Sequence, residues 1–391
     1  MSLSGTLMHT PAGVVRFGSG VVQAELGAEL EAQKLRRVFV LTSPSVASTP
    51  AYRDLVSAVG SRCVGSFDEC VRNAPRATVL HVSHLLAASG AEAVIALGGG
   101  STMETAKSGA VALTLGIQDP AQFDALPSNS LPLVVKEPLP TLIAIPVTLS
   151  GAEYSPFVSN VNTAGTKQIF RTDAAIPRLV FLDPAITAYT PRHLWDQTAL
   201  KVLGDALERA AAMAVNAALE PLHTRGMSWL ARGLEPGSDS SAESRLQTQV
   251  AVWMSMFASF QSPRAWGLGT ALRHVVAPAL GIGHAALTAR ALAPIYRFNA
   301  LAIAPAAHES IAAALGIRPG PLPADAVVAK LWQLQAAHGG DVPLSKALDR
   351  SFDPTTVAAL AATVAHDLGG MRNPRKGVTA AEVAGVLEEI L

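Results

Sequence analysis

Cysteine, aromatic residues and charge are all scarce in this 391-residue chain, and no apolar run is long. The two cysteines, Cys63 and Cys70, form neither a zinc-type spacing nor a disulfide framework, so both are expected to be buried thiols of a reducing cytoplasm. Aromatics make up 5% of residues, and 30 Lys and Arg balance 30 Asp and Glu. With no basic block and no interleaving of basic and aromatic residues, nucleic acid and anionic membranes are not expected partners. Apolar stretches are broken by Gly, Pro or charge before the roughly 18 residues a membrane span needs. The opening segment MSLSGTLMHT has no basic head before an apolar stretch, so no secretory signal is expected.

What is abundant is apolar surface to bury: 49% of residues are hydrophobic against 15% charged. A chain this long exceeds what one core usually supports, which predicts two domains. In the first half, short β-branched runs at 37–41, 63–67, 93–97, 141–145 and 179–182 alternate with helical patterns, the signature of a mostly parallel sheet wrapped by helices. From Pro191 onward the pattern becomes Ala- and Leu-rich with helical periodicity, broken by Gly-Pro loops. The reading is an α/β domain over 1–186 and an all-helical domain over 187–391, with the change near Asp183-Pro184.

The segment AEAVIALGGGSTMETAKSGA reads as a buried strand entering Gly98, Gly99 and Gly100 and then a helix, with Ser101 or Thr102 at the cap position. Glycines let the backbone approach a pyrophosphate closely, and the free amides at a helix start attract it. The spacing is not the common dinucleotide fingerprint, so a phosphate cradle and a plain tight turn both stay open on these residues alone.

Residues 98–107 (GGGSTMETAK) resemble the GGGSxxDxAK signature of the iron-containing alcohol dehydrogenase superfamily. The run Pro146-Val147-Thr148-Leu149-Ser150-Gly151-Ala152-Glu153 resembles that family's Pro-Thr-Thr-x-x-Gly-Ser-Glu loop. Lys167 and the later stretch from Pro177 to Pro184 resemble the strand that closes its first domain. Val15-Arg16-Phe17-Gly18 and Asn373-Pro374-Arg375 are similar to the opening and closing motifs of its maleylacetate reductase branch. The resemblance implies the two-domain architecture shared with dehydroquinate synthase, NADH or NADPH as cofactor, and a homodimer. It also implies cofactor roles for Gly98, Gly99, Gly100, Ser101, Thr102, Thr148, Ser150 and Lys167. Ser43 stands where many relatives place an acid on the adenosine ribose, and without that acid a 2′-phosphate is not repelled. Glu104 replaces the family Asp.

Metal-dependent relatives hold iron or zinc with one Asp and three His. Of the matching positions, Asp205 and His284 agree, but Arg209 and Thr270 replace two ligands. A guanidinium stays protonated and has no lone pair, so Arg209 repels a metal, and no catalytic metal is expected. Asp205 and Arg209, four apart on a helix, are placed to pair with each other. The resemblance gives Arg209 the role of charge stabiliser or carboxylate clamp, and His274 or His284 that of proton donor.

The expected activity is hydride transfer from NAD(P)H to a small unsaturated oxo acid. The rivals are another carbonyl or alcohol substrate, and a catalytically silent cofactor binder, since the family acid is also missing at Ala212. Arg273, beside His274, has two readings, a reach to an acidic substrate and, as the leading one, an exposed helix charge; the loop from Arg372 to Lys376 is read as a solvated turn. His193, His223, His308, His338 and His366 are read as having no partner at useful spacing.

Overall fold

The structure, a computed structural model, describes residues 13–127, 132–262 and 266–391. They divide into two compact units, one running to Pro191 together with Ser241–Val250, the other comprising Arg192–Ser240 and Ala251–Leu391.

The first unit is built on a six-stranded sheet. Its strands are β1 (Val14–Phe17), β2 (Val38–Leu41), β3 (Cys63–Phe67), β4 (Ala93–Gly98), β5 (Thr141–Pro146) and β8 (Leu179–Leu182). The order is β1-β8-β5-β4-β2-β3 and every neighbour pair is parallel. Parallel sheets are covered on both faces, so their strands are apolar throughout rather than alternating, and β2, β4 and β8 are buried almost end to end. Successive side chains still point to opposite faces. Val38, Val40, Ile95, Leu97, Ile143 and Phe181 join one core, while Phe39, Leu41, Val94, Ala96, Leu142 and Val180 join the other.

Three strands escape the sequence reading. Strand β1 is an exposed edge, with Phe17 61% accessible, so it carries no buried-strand signal. Strands β6 (Phe157–Val161) and β7 (Lys167–Arg171) form a separate antiparallel pair, held by local hydrogen bonding rather than by a continuous apolar run. Cys70 is buried as expected, its thiol pushed up to about 12 chiefly by burial, but Cys63 is only half-buried.

The strand order reverses between β2 and β4, and in such sheets ligands bind outside the carboxyl ends of the strands at this switch point. Thr42, just past β2, ties the two ends together by donating from Oγ1 to Leu97 O at 2.8 Å. Asp183, ending β8, accepts from Gly20 N (2.9 Å), Val22 N (3.2 Å) and Ala185 N (3.0 Å), so one buried carboxylate holds the starts of two helices.

Among the described residues the second unit contains only helices. Its core gathers Leu268, Leu272, Val276, Leu287, Val364, Val383 and Leu387. No helix among the described residues is long and apolar enough to cross a membrane.

Candidate functional site

In the sheet unit, β4 ends at Gly98 and the chain turns through Gly99 into the helix Gly100–Leu115. Gly99 is the cap and makes no side-chain cap bond, so neither Ser101 nor Thr102 caps this helix, contrary to expectation. Both lie in its first turn, because the three glycines let the helix begin earlier than a side-chain cap would allow. Ser101 Oγ instead accepts from Asn73 N at 3.1 Å.

A Cβ at Gly98 would sit 2.3 Å from Thr102 Oγ1 and 2.6 Å from Thr102 Cβ. At Gly99 it would sit 3.1 Å from Thr148 Oγ1, and at Gly100 3.3 Å from Ser150 Cβ. The turn therefore packs directly on Thr102, Thr148 and Ser150, and only hydrogen atoms fit between them. The glycines are thus required by packing on these side chains, and it is the free amides at the helix start that suit a pyrophosphate.

Two lysines shape the surroundings. Lys107, 2% exposed, donates to Ala152 O and to Ser155 O (2.6 Å), so it clamps the turn that follows Gly151. Burial draws its ammonium down to about 8, against the charges of Glu153 and Glu104. Lys167 pairs with Glu104 at 2.9 Å, so the longer carboxylate at 104 reaches the lysine on β7. Ser43 stands at the start of the short helix Pro44–Ala47 without a side-chain capping bond, its Oγ 3.2 Å from Ser45 Oγ.

In the helical unit the helix Arg192–Ala211 carries Lys201, Asp205 and Arg209 at four-residue spacing. Asp205 does not choose Arg209. Its carboxylate pairs with Lys201 Nζ at 2.8 Å and with Arg273 Nη2, and among the described residues Arg209 makes no ion pair with it at bonding distance. Burial alone would raise the Asp205 carboxyl, but the charges of Arg273 and Lys201, helped by the Lys201 hydrogen bond and by Arg209, hold it well below the usual range. Arg209 lies over the Phe260 ring at 5.7 Å, its Nη1 3.5 Å from Ser259 O, and burial lowers its pKa. Arg273, expected as an exposed charge, is 5% exposed and also donates to Thr270 Oγ1 at 2.9 Å.

Glu208 completes the cluster. It accepts from the amides of Gly269 and Thr270 and from the Thr270 hydroxyl (2.7 Å), offsetting the positive start of the helix Leu268–Ala279. Beside it lies a recess reached by Glu208, Arg273, Asn299 and Asn373 between apolar walls. His274 and His284 face each other with ring centroids 6.0 Å apart, and Trp266 meets His274 edge-on at 5.9 Å. These two histidines, Asp205 and Arg209 are not among the residues lining the recess.

Several plain readings give way to tertiary partners. Asn373 is buried and accepts from Leu268 N while donating to Asn299 Oδ1 and Arg375 O. Arg375 pairs with Glu382 and stacks on Phe298, so the basic loop is tied down at that residue, while Arg372 and Lys376 stay exposed as expected. His338 bonds Asp196 (3.0 Å) and Leu234 O (2.8 Å). His308 meets Tyr296 Oη at 2.7 Å, and His223 meets Ala206 O at 3.1 Å, its pKa lowered to about 4 chiefly by burial.

The donor set does not fit iron or zinc. Of the four family positions one is Arg209, one is Thr270 engaged by Glu208, and Asp205 is already neutralised by two cations. Among the described residues no group of three or more His, Cys, Asp or Glu is gathered as metal ligands would be. Sequence reading missed Glu208 and the clamp made by Lys107, met Asn373 only as part of a motif, and for Arg273 preferred the exposed charge that the structure overturns. For Arg273 a signal existed: it is the lone charge in the apolar helix LGTALRHVVAPA, a setting in which a cation is either buried with partners or misplaced.

Residues 12–184 match the family described as iron-containing alcohol dehydrogenase. The chain is 28% identical over 313 residues to maleylacetate reductase 2 of Cupriavidus pinatubonensis, covering 78% of this chain and 77% of that protein. It is 28% identical over 311 residues to the maleylacetate reductase of Burkholderia cepacia, covering 78% and 79%. The fold resembles the crystal structure of maleylacetate reductase from Agrobacterium tumefaciens, with TM-score 0.77 at 21% identity over 98% and 97% of the two chains. It also resembles an alcohol dehydrogenase from an archaeal halo-thermophile of a Red Sea brine pool, with TM-score 0.86 at 21% identity over both full lengths.

Proposed function

Because this chain belongs to the iron-containing alcohol dehydrogenase superfamily, near its maleylacetate reductase branch, we propose that it is an NAD(P)H-dependent reductase of a small unsaturated oxo acid that works without a catalytic metal. The glycine cradle supports the cofactor assignment, with Gly98, Gly99, Gly100, Ser101 and Thr102 on the pyrophosphate and Thr148, Ser150, Lys167 and Ser43 along the rest of the dinucleotide. The observation that carries the metal-free reading is Asp205, whose carboxylate is already shared between Lys201 and Arg273.

The reduced nicotinamide supplies a hydride. In the proposed reaction that electron pair reaches the carbon-carbon double bond, the double-bond pair moves to the conjugated oxo oxygen, and a proton at the neighbouring carbon restores the carbonyl. One double bond is reduced and one NAD(P)H oxidised. Arg209 is assigned to the oxygen where negative charge develops or to the substrate carboxylate, and His274 or His284 to the proton.

Fluorescence titration with NADH and NADPH, followed by turnover of a panel of unsaturated oxo acids, tests the reading. Cofactor binding with no turnover on any oxo acid or aldehyde would instead support a silent cofactor binder. Stoichiometric iron or zinc, lost together with activity on chelation, would overturn the metal-free part.

A further inference from the structure

In the sheet unit one loop is fastened to one helix at two points. At the start of the helix Gly100–Leu115, a Cβ at Gly100 would lie 3.3 Å from Ser150 Cβ, so Ser150 packs on the backbone there. Two turns further on, Lys107 donates from Nζ to Ala152 O and, at 2.6 Å, to Ser155 O. The loop joins the two points: Ala152 N donates to Ser150 Oγ at 3.4 Å, and Ser155 N to Ala152 O at 3.3 Å. The anchors lie about 10 Å apart along the helix. Lys107 thus limits how far Ser150 can lift from the helix start.

Two carbonyls could be held by a neutral amide, and burial disfavours an ammonium, drawing this one down to about 8. What the ammonium adds is a third donor, and bonds roughly twice as strong as neutral ones. The neutral amine turns a lone pair to its surroundings instead. Glu153, 2% exposed on the same turn, and Glu104, on the same helix and paired with Lys167, are the charges that favour the ammonium. Tyr154 is raised well above its ordinary value by burial and by the Glu153 charge, so it stays neutral. The ionisable groups on the other elements packed against this helix are engaged elsewhere: Arg76 with Asp124, His84 with Gln118, His81 against the Phe67 ring and Asp173 with Arg171.

We propose that Lys107 is a positioning residue for the dinucleotide: as an ammonium it holds Ser150 and the turn behind it against the helix start, and without that proton the cradle loses affinity. This role rests on the assignment of NAD(P)H to the cradle. Linkage is reciprocal, so NADH binding draws a proton onto Lys107. Burying the charge costs the fold most below about pH 8, and that cost is relieved as pH rises toward the unfolded value of about 10.4. Loss of NADH affinity in this window is therefore not loss of fold through this group.

Fluorescence titration of the full chain with NADH, from neutral pH to about 9.5, is the test. The dissociation constant should be level to about pH 7.5 and then rise, approaching tenfold per pH unit above about 8. Calorimetry at about pH 8 in two buffers of different ionisation enthalpy should show uptake of about half a proton per NADH bound. Lys107→Arg stays charged throughout and should give a level profile. Lys107→Met should bind NADH at least about tenfold more weakly at neutral pH, also with a level profile. Glu153→Gln removes a charge that favours the ammonium, and should move the rise toward lower pH by about one unit.

A level wild-type profile, no proton uptake, a rise that Glu153→Gln leaves in place, or wild-type affinity in Lys107→Met would each overturn this role. If either Lys107 variant fails to fold, the wild-type profile, the proton uptake and Glu153→Gln decide. NADH bound at neutral pH with a level profile sinks only the role of Lys107. No NADH bound at any pH sinks the cofactor assignment, and this role with it.

Discussion

Replacing Asp205 with Asn keeps the shape of the side chain and removes one charge from the centre of the helical unit's cluster. The carboxylate lies 2.8 Å from Lys201 Nζ and bonds Arg273 Nη2. Breaking a buried pair typically costs about 3–5 kcal/mol, because the remaining charge is left buried and unpaired. Lys201 keeps 21% of its side chain exposed and can turn to water, whereas Arg273 at 7% cannot. We therefore expect the lower end, about 3 kcal/mol, read as a fall in the urea midpoint at unchanged slope. Asp205→Asn combined with Arg273→Gln should cost less than the sum of the two single changes, with a coupling of about 1–2 kcal/mol. The folded carboxyl is depressed, so its contribution is present above the unfolded value of about 3.9 and is lost as pH falls toward the folded one. The Asn variant should lack that part of the acid-side decline. A cost under about 0.5 kcal/mol, or strict additivity of the pair, would refute the account of Asp205 as the hub of this cluster.

Three further outcomes follow from the geometry. Gly98→Ala places a methyl 2.6 Å from Thr102 Cβ, and should lower NADH affinity at least about tenfold while costing about 1–3 kcal/mol of stability; unchanged NADH titration would count against the cradle. Arg209→His with Thr270→His restores two ligand types but leaves Asp205 paired with Arg273 and Lys201, so metal analysis after incubation with zinc or iron should find no stoichiometric uptake. His338 is raised chiefly by its hydrogen bond to Asp196. Asp196 is lowered, burial being outweighed by His338 and Arg192. Stability from His338 is thus full below its unfolded value of about 6.5 and fades as pH climbs through the folded value, while that from Asp196 is full above about 3.9 and fades as pH falls. Urea midpoints for His338→Gln should be flatter between neutral and mildly alkaline pH than those of the parent chain.

The residues legible in advance are those whose signal is local. Buried parallel strands announce themselves as β-branched runs, as 93–97 and 179–182 do, and three glycines after such a run mark the turn that holds Thr102. The exposed edge β1 and the β6–β7 pair lack that signature. Arg209 and Thr270 could be recognised as departures by position alone. Which cation Asp205 would take could not, because helix spacing offers Lys201 and Arg209 equally and says nothing of Arg273, which arrives from another helix.

Sequence alone therefore determined the layered sheet, the change to an all-helical second half and the place of the glycine turn, since periodicity and backbone freedom act over a few neighbouring residues. Tertiary structure alone decided the partners of Asp205, Glu208, His338 and Asn373 and the recess beside Arg273. A buried charge or amide takes whichever partner the packing of distant segments brings within hydrogen-bond reach, and that proximity is not written in the spacing of either segment.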